Sequence, residues 1–138
     1  MQGYAETHDA ARTQSSTVLI VDEAGERDVY PEYLDFCGFK VLSARGPVEA
    51  LHVAQAHRPD VMLVDIARMA ADTGWEAIRA LKALAGTAAI PIVALINLAS
   101  SEGSDEARAA VADVCLSKPL PSQIARAIRA MLLWPRRK

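Results

Sequence analysis

The feature that most constrains this chain is a set of short, unbroken aliphatic runs, each stopped by turn or acidic residues. Residues 17–21 (TVLIV) halt at Asp22 and Glu23, residues 61–64 (VMLV) close on Asp65, and residues 90–96 (IPIVALI) form a third run. Weaker runs lie at 39–42 and 111–116. Apolar stretches of this length have no polar side to turn to water, so they fit strands buried on both faces of a parallel sheet. Between them the period changes to that of a helix. Ile78, Leu81 and Leu84 fall on one face of a segment over 75–84, and Ile124, Ile128 and Met131 on one face of 124–133. A helix over 48–56 follows Gly46 and Pro47, where proline suits a first turn. Ser101, Glu102 and Asp105 favour a helix start before 112. The first helix falls within 28–37, with Pro31 in its first turn or at a kink.

Strand and helix thus alternate five times, which predicts an α/β fold: a five-stranded parallel sheet, doubly wound by helices through right-handed crossovers. The 138 residues suffice for one domain over 17–133, preceded by a lead-in over 1–16 and followed by a basic tail over 134–138. Composition excludes several functions. Lys and Arg number 15 against 17 Asp and Glu, a net charge of −2, so nothing favours gripping nucleic acid or an anionic membrane. Two cysteines, Cys37 and Cys115, cannot build a disulfide framework. No apolar stretch approaches the ~18 residues of a membrane span, and residues 1–16 lack the apolar core of a signal peptide. A cytoplasmic protein is expected.

In an open parallel sheet, ligands bind beyond the carboxyl ends of the strands. Asp22 and Glu23 end the first strand, Asp65 ends the third, and Lys118 follows the fifth. Carboxylates converging there repel one another, and a hard cation with oxygen ligands, Mg²⁺ or Mn²⁺, relieves the repulsion. With a metal and a lysine to hold phosphoryl oxygens, Asp65 is placed to act as a nucleophile. There is no glycine-rich phosphate loop, which weighs against a flavin- or nucleotide-binding enzyme of the same topology. His8, His52 and His57 have no ligand spacing and are expected at the surface, and Cys115 is expected to be a small buried hydrophobe.

Five segments, taken together and in order, resemble the response-regulator receiver domains of two-component signalling, of the kind typified by chemotaxis regulators. They are residues 18–23 (VLIVDE), 58–65 (RPDVMLVD), 72–76 (DTGWE), 90–95 (IPIVAL) and 117–119 (SKP). The resemblance implies a flavodoxin-like strand order of 2-1-3-4-5. It implies Asp65 as phosphoacceptor, Mg²⁺ held by Asp22, Glu23, Asp65 and the backbone carbonyl of Ala67, and Lys118 on the phosphoryl group. It also implies a cis peptide before Pro119. The implied partners are a histidine kinase or phosphotransfer protein upstream and, through residues 101–133, a downstream protein; the implied assembly is a monomer or weak dimer. A gene product that ended at residue 138 is expected to signal by protein contact or to serve as a phosphate carrier or sink, with at most self-catalysed phosphorylation and dephosphorylation as chemistry.

The chain departs from that family at the switch. Where the family ends its fourth strand with a threonine or serine that binds the phosphoryl group, this chain has Ile96, and where the fifth strand carries a tyrosine or phenylalanine, it has Cys115. The spacing from Asp65 to Gly74 is one residue longer than usual and lacks the usual proline. Glu23 stands where aspartate is commoner. These departures make a phosphorylation-independent binding module, a degenerate receiver, the alternative expectation.

Overall fold

The computed structural model describes residues 16–23, 29–69, 73–96, 112–117 and 119–133. Along them run β1 (Thr17–Val21), α1 (Val29–Phe36), β2 (Lys40–Ala44), α2 (Pro47–His57) and β3 (Val61–Asp65). A single 3₁₀ turn (Ile66–Arg68) then leads to α3 (Thr73–Ala83), β4 (Ile92–Ile96), β5 (Val114–Ser117) and α4 (Pro121–Met131). The strands form one sheet in the order β2-β1-β3-β4-β5, parallel throughout, as expected. The helix expected over 101–112 lies, but for Ala112, outside the described residues.

Strand alternation divides the core in two. Leu19, Val21, Met62, Val64, Ile92 and Ala94 face one way and pack with Ala50 and Ala54 of α2 and Trp75, Ile78 and Leu81 of α3. Val18, Ile20, Leu63, Val93 and Leu95 face the other way and pack with Leu34 of α1 and Ile124 and Ile128 of α4. Every residue of β3 is buried, as a central strand covered on both faces requires. The edge strands are less apolar because they are less covered: β2 has only Ala44 buried, and no residue of β5 is fully buried.

The helix ends follow local chemistry. Pro31 falls in the first turn of α1, where its missing N–H costs nothing. Gly38, at φ 101°, stops α1 in a left-handed turn. Its N–H bonds to the Asp35 carbonyl (3.0 Å) and the Phe39 N–H to the Leu34 carbonyl (3.1 Å), and Leu34 and Phe39 join one core cluster, which makes a complete Schellman stop. Pro47 opens α2 and Pro121 opens α4, where Gln123 Oε1 also accepts from the Leu120 N–H at 2.7 Å. Arg58 ends α2 at φ 47°, a left-handed conformation that a side chain makes costly.

Two clamps tie the amino edge of the sheet, away from the strand ends that carry the acids. Asp60 exchanges backbone and side-chain hydrogen bonds with Thr17, both 2.8 Å, across the starts of β3 and β1. Asp113 Oδ2 accepts from the Ile92 N–H (2.8 Å) and from Lys82 Nζ (2.9 Å), and the same ammonium donates to the carbonyls of Ala88 and Ile90. Among the described residues no helix is long and apolar enough to cross a membrane.

Candidate functional site

The register of the sheet decides which acids meet. Val21 pairs with Val64 across β1 and β3, so the next residues, Asp22 and Asp65, stand side by side at the carboxyl edge on strands about 4.8 Å apart. Asp22 is fixed through its backbone, whose N–H donates to the Ala44 carbonyl at 2.9 Å. Asp65 is the last residue of β3 and only 3% exposed, a carboxylate almost withdrawn from water. Glu23 follows on a turn and is exposed.

The chain beyond Asp65 bends at once into the 3₁₀ turn, with Met69 N–H on the Ile66 carbonyl at 3.1 Å. Ala67, exposed, lies at the middle of that turn. The turn is seated against the start of α3. A Cβ on Gly74 would come within 2.6 Å of Ile66 Cγ1, 3.0 Å of Met69 Sδ and 3.2 Å of Ile66 Cα. Position 74 therefore needs glycine for close approach. Trp75, 4% exposed, then closes the packing at the start of the helix.

The turn carries a residue that the sequence reading passed over. Arg68 Nε lies 3.2 Å from Asp22 Oδ2, its side chain 31% exposed and that of Asp22 13%. The cation beside the acidic edge is thus the chain's own guanidinium. The signal for it was a basic residue three positions after Asp65, about one 3₁₀ turn, which points back toward the neighbouring strand end. Tyr30 is a second such residue. Its hydroxyl donates to the Pro119 carbonyl at 2.8 Å and ties α1 to the segment after β5. Lys118, and with it the peptide expected to be cis, lies outside the described residues, whereas Pro119 is buried.

Ile96 and Cys115 are on neighbouring strands, with Ala94 opposite Cys115 and Ile96 opposite Ser117. Both pack against the cluster formed with α2 and α3, so they occupy one face of the sheet. Burial pushes the Cys115 thiol above its ordinary pKa, which keeps it protonated and weakly nucleophilic at neutral pH. His52 and His57 are exposed, and His8 is outside the described residues.

Two carboxylates on adjacent strand ends offer oxygen donors of the kind that suits a hard divalent cation. Among the described residues, however, no three Asp, Glu, His or Cys side chains are drawn together as a metal site. Glu23 is exposed on its turn, and Asp22 is engaged by Arg68. The oxygen donors of Asp22 and Asp65 are of the kind that fits Mg²⁺, and the Arg68 guanidinium lies beside the first of them.

Comparison with known proteins agrees with this fold. The sequence pattern of the response regulator receiver domain matches residues 18–129. The polar-differentiation response regulator DivK of Brucella anthropi is 26% identical over 105 residues, which cover 76% of this chain and 85% of that protein. The chemotaxis protein CheY4 of Vibrio cholerae superposes with a TM-score of 0.72 at 28% identity, over 84% of this chain and 98% of that one. The receiver domain of the sensor histidine kinase PA1611 of Pseudomonas aeruginosa, solved with magnesium coordinated in its active-site cleft, has the same fold. Its TM-score is 0.72 at 24% identity, over 85% of this chain and 97% of that one.

Proposed function

The chain belongs to the response regulator receiver domain family, a signalling family, and from that premise we propose that Asp65 accepts a phosphoryl group from a histidine kinase or phosphotransfer protein. A carboxylate oxygen of Asp65 attacks phosphorus, the bond from phosphorus to the donor histidine breaks, and that histidine leaves with the electron pair. The product is an acyl phosphate on Asp65, which water later cleaves. The observation that carries this reading is the burial of Asp65 to 3% exposure at the carboxyl end of a central strand, beside Asp22. An isolated charge is costly to bury, so a buried carboxylate is paired or hydrogen-bonded, and such arrangements cluster at functional sites.

Asp22, Asp65 and the Ala67 carbonyl would hold Mg²⁺, with Glu23 contributing from the exposed turn. When bound, the metal neutralises charge on the phosphoryl oxygens. Lys118 is assigned to one of those oxygens as a point charge. The Tyr30 hydroxyl steadies the backbone next to it through Pro119. The protein acts in the cytoplasm and passes its signal by contact through residues 101–133, as a monomer or weak dimer, without nucleic acid or membrane. Its only chemistry is its own phosphorylation and dephosphorylation.

The test is intact mass after incubation with Mg²⁺ and acetyl phosphate. The parent gains one phosphoryl group and Asp65→Asn gains none; an unlabelled parent, under conditions that label an ordinary receiver, defeats the proposal.

A second reading follows from Ile96 and Cys115. Neither side chain offers the hydroxyl or ring of the usual switch, and both rest in apolar packing. Moving a switch from 1:99 to 99:1 takes about 5.5 kcal/mol of differential binding, and a hydrogen bond to a charged group supplies about 1.5–3 of it. A chain without that bond serves as a phosphorylation-independent binding module, or transmits weakly. Ile96→Thr is expected to enlarge the spectroscopic change on phosphorylation, followed by amide NMR. An unchanged response would show that the hydroxyl does not limit coupling.

A further inference from the structure

Among the described residues at the acidic edge, Arg68 is a cation that neither the fold nor the expected chemistry requires. It sits three residues beyond Asp65, on a turn whose flanking side chains, Ile66 and Met69, are held against Gly74. Its guanidinium reaches back across the sheet edge to the carboxylate of Asp22, with Nε 3.2 Å from Oδ2. Asp22 is thereby a shared ligand: the carboxylate that a divalent cation needs is the one that Arg68 already neutralises. We infer that Arg68 is an internal counter-cation that competes with divalent metal for Asp22, so that metal enters only as the guanidinium leaves.

The chemistry favours competition over joint occupation. Two cations at one carboxylate repel each other, and the low exposure of Asp22, 13%, weakens the solvent screening of that repulsion. Guanidinium is weakly hydrated and loses little on leaving water, whereas Mg²⁺ sheds its waters reluctantly and demands octahedral oxygen ligands. In the absence of metal, Arg68 therefore holds the edge. The cost of displacing it appears in the measured affinity, because a site that is free for a fraction f of the time binds with a dissociation constant raised by 1/f. A guanidinium paired for about nine-tenths of the time weakens metal binding about tenfold, which is about 1.4 kcal/mol.

This inference rests on the reading of the acidic edge as a divalent-cation site, and the experiment separates the two. Isothermal titration calorimetry with MgCl₂ is run on the full chain, on Arg68→Met, which keeps most of the aliphatic stem, and on Arg68→Lys, which keeps the charge. Arg68→Met is expected to bind Mg²⁺ about tenfold more tightly than the parent, with Arg68→Lys closer to the parent. Measurable binding with equal affinity in the parent and Arg68→Met overturns the competition and leaves the metal site standing. No binding in any of the three overturns both. In parallel, the Arg68 Nε–H resonance of the ¹⁵N-labelled parent is followed during the same titration. That measurement decides the matter even if a variant folds poorly. Movement of the signal with metal occupancy supports displacement, and a fixed signal while the metal binds refutes it.

Discussion

Asp65 and Gly74 show how single residues set the site. Asp65 is placed by the strand that precedes it, and the turn that follows is placed by the missing side chain at position 74. Gly74→Ala would ordinarily help a helix by about 1 kcal/mol. Here the new methyl meets Ile66 at 2.6 Å and the Ile66 backbone at 3.2 Å, and overpacking of that kind costs about 1–3 kcal/mol. Gly74→Ala is expected to cost about 1 kcal/mol of stability net, read as a lower urea midpoint, and to shift the amide resonances of residues 66–69. A neutral or more stable variant would show that the turn yields freely. At this scale the sequence was only partly readable. Asp22, Asp65 and Gly74 stand out by position, because strand ends and a helix start can be read from local pattern. Arg68 on Asp22 and Tyr30 on Pro119 are contacts between residues 46 and 89 positions apart (68 − 22 and 119 − 30), set by folding alone.

Elements were legible in proportion to their burial. β1 and β3 lie inside the sheet, are apolar but for Thr17 at the start of one and Asp65 at the end of the other, and began where expected. β2 and β5 lie at the edges, are half-covered, and so carry fewer apolar residues. Their observed spans, Lys40–Ala44 and Val114–Ser117, are displaced toward the carboxyl side of the expected 39–42 and 111–116. β4 starts at Ile92 rather than at 90, because Pro91 has no N–H for the ladder and contributes only its carbonyl, which accepts from the Met62 N–H at 2.9 Å. β5 is short, and a clamp outside it does much to hold it: Asp113 ties the start of β4 and Lys82 of α3 together. Asp113→Ala removes a charge-assisted acceptor from both. It is expected to cost about 2 kcal/mol in chemical denaturation while leaving phosphorylation of Asp65 intact. Full stability in that variant would mean the clamp is incidental.

On the scale of the whole molecule, the alternation of buried runs with amphipathic segments was enough to specify a parallel sheet wrapped on both faces, and the order β2-β1-β3-β4-β5 agrees with it. That order puts β1 beside β3, and the pairing of Val21 with Val64 brings two distant acids together at one edge. The opposite edge carries the structural clamps of Asp60 and Asp113. The clamps and the paired acids thus lie at opposite ends of the same strands, so loops at the carboxyl edge can vary without loosening the clamps. The central claim is that the acid at the end of β3 is the one that takes phosphate. The direct measurement is to treat the protein with Mg²⁺ and acetyl phosphate, reduce the acyl phosphate with borohydride, and sequence the peptides by mass spectrometry. The account predicts homoserine at position 65 and nowhere else; homoserine at another aspartate, or none in a protein whose mass shows a phosphoryl group, would contradict it.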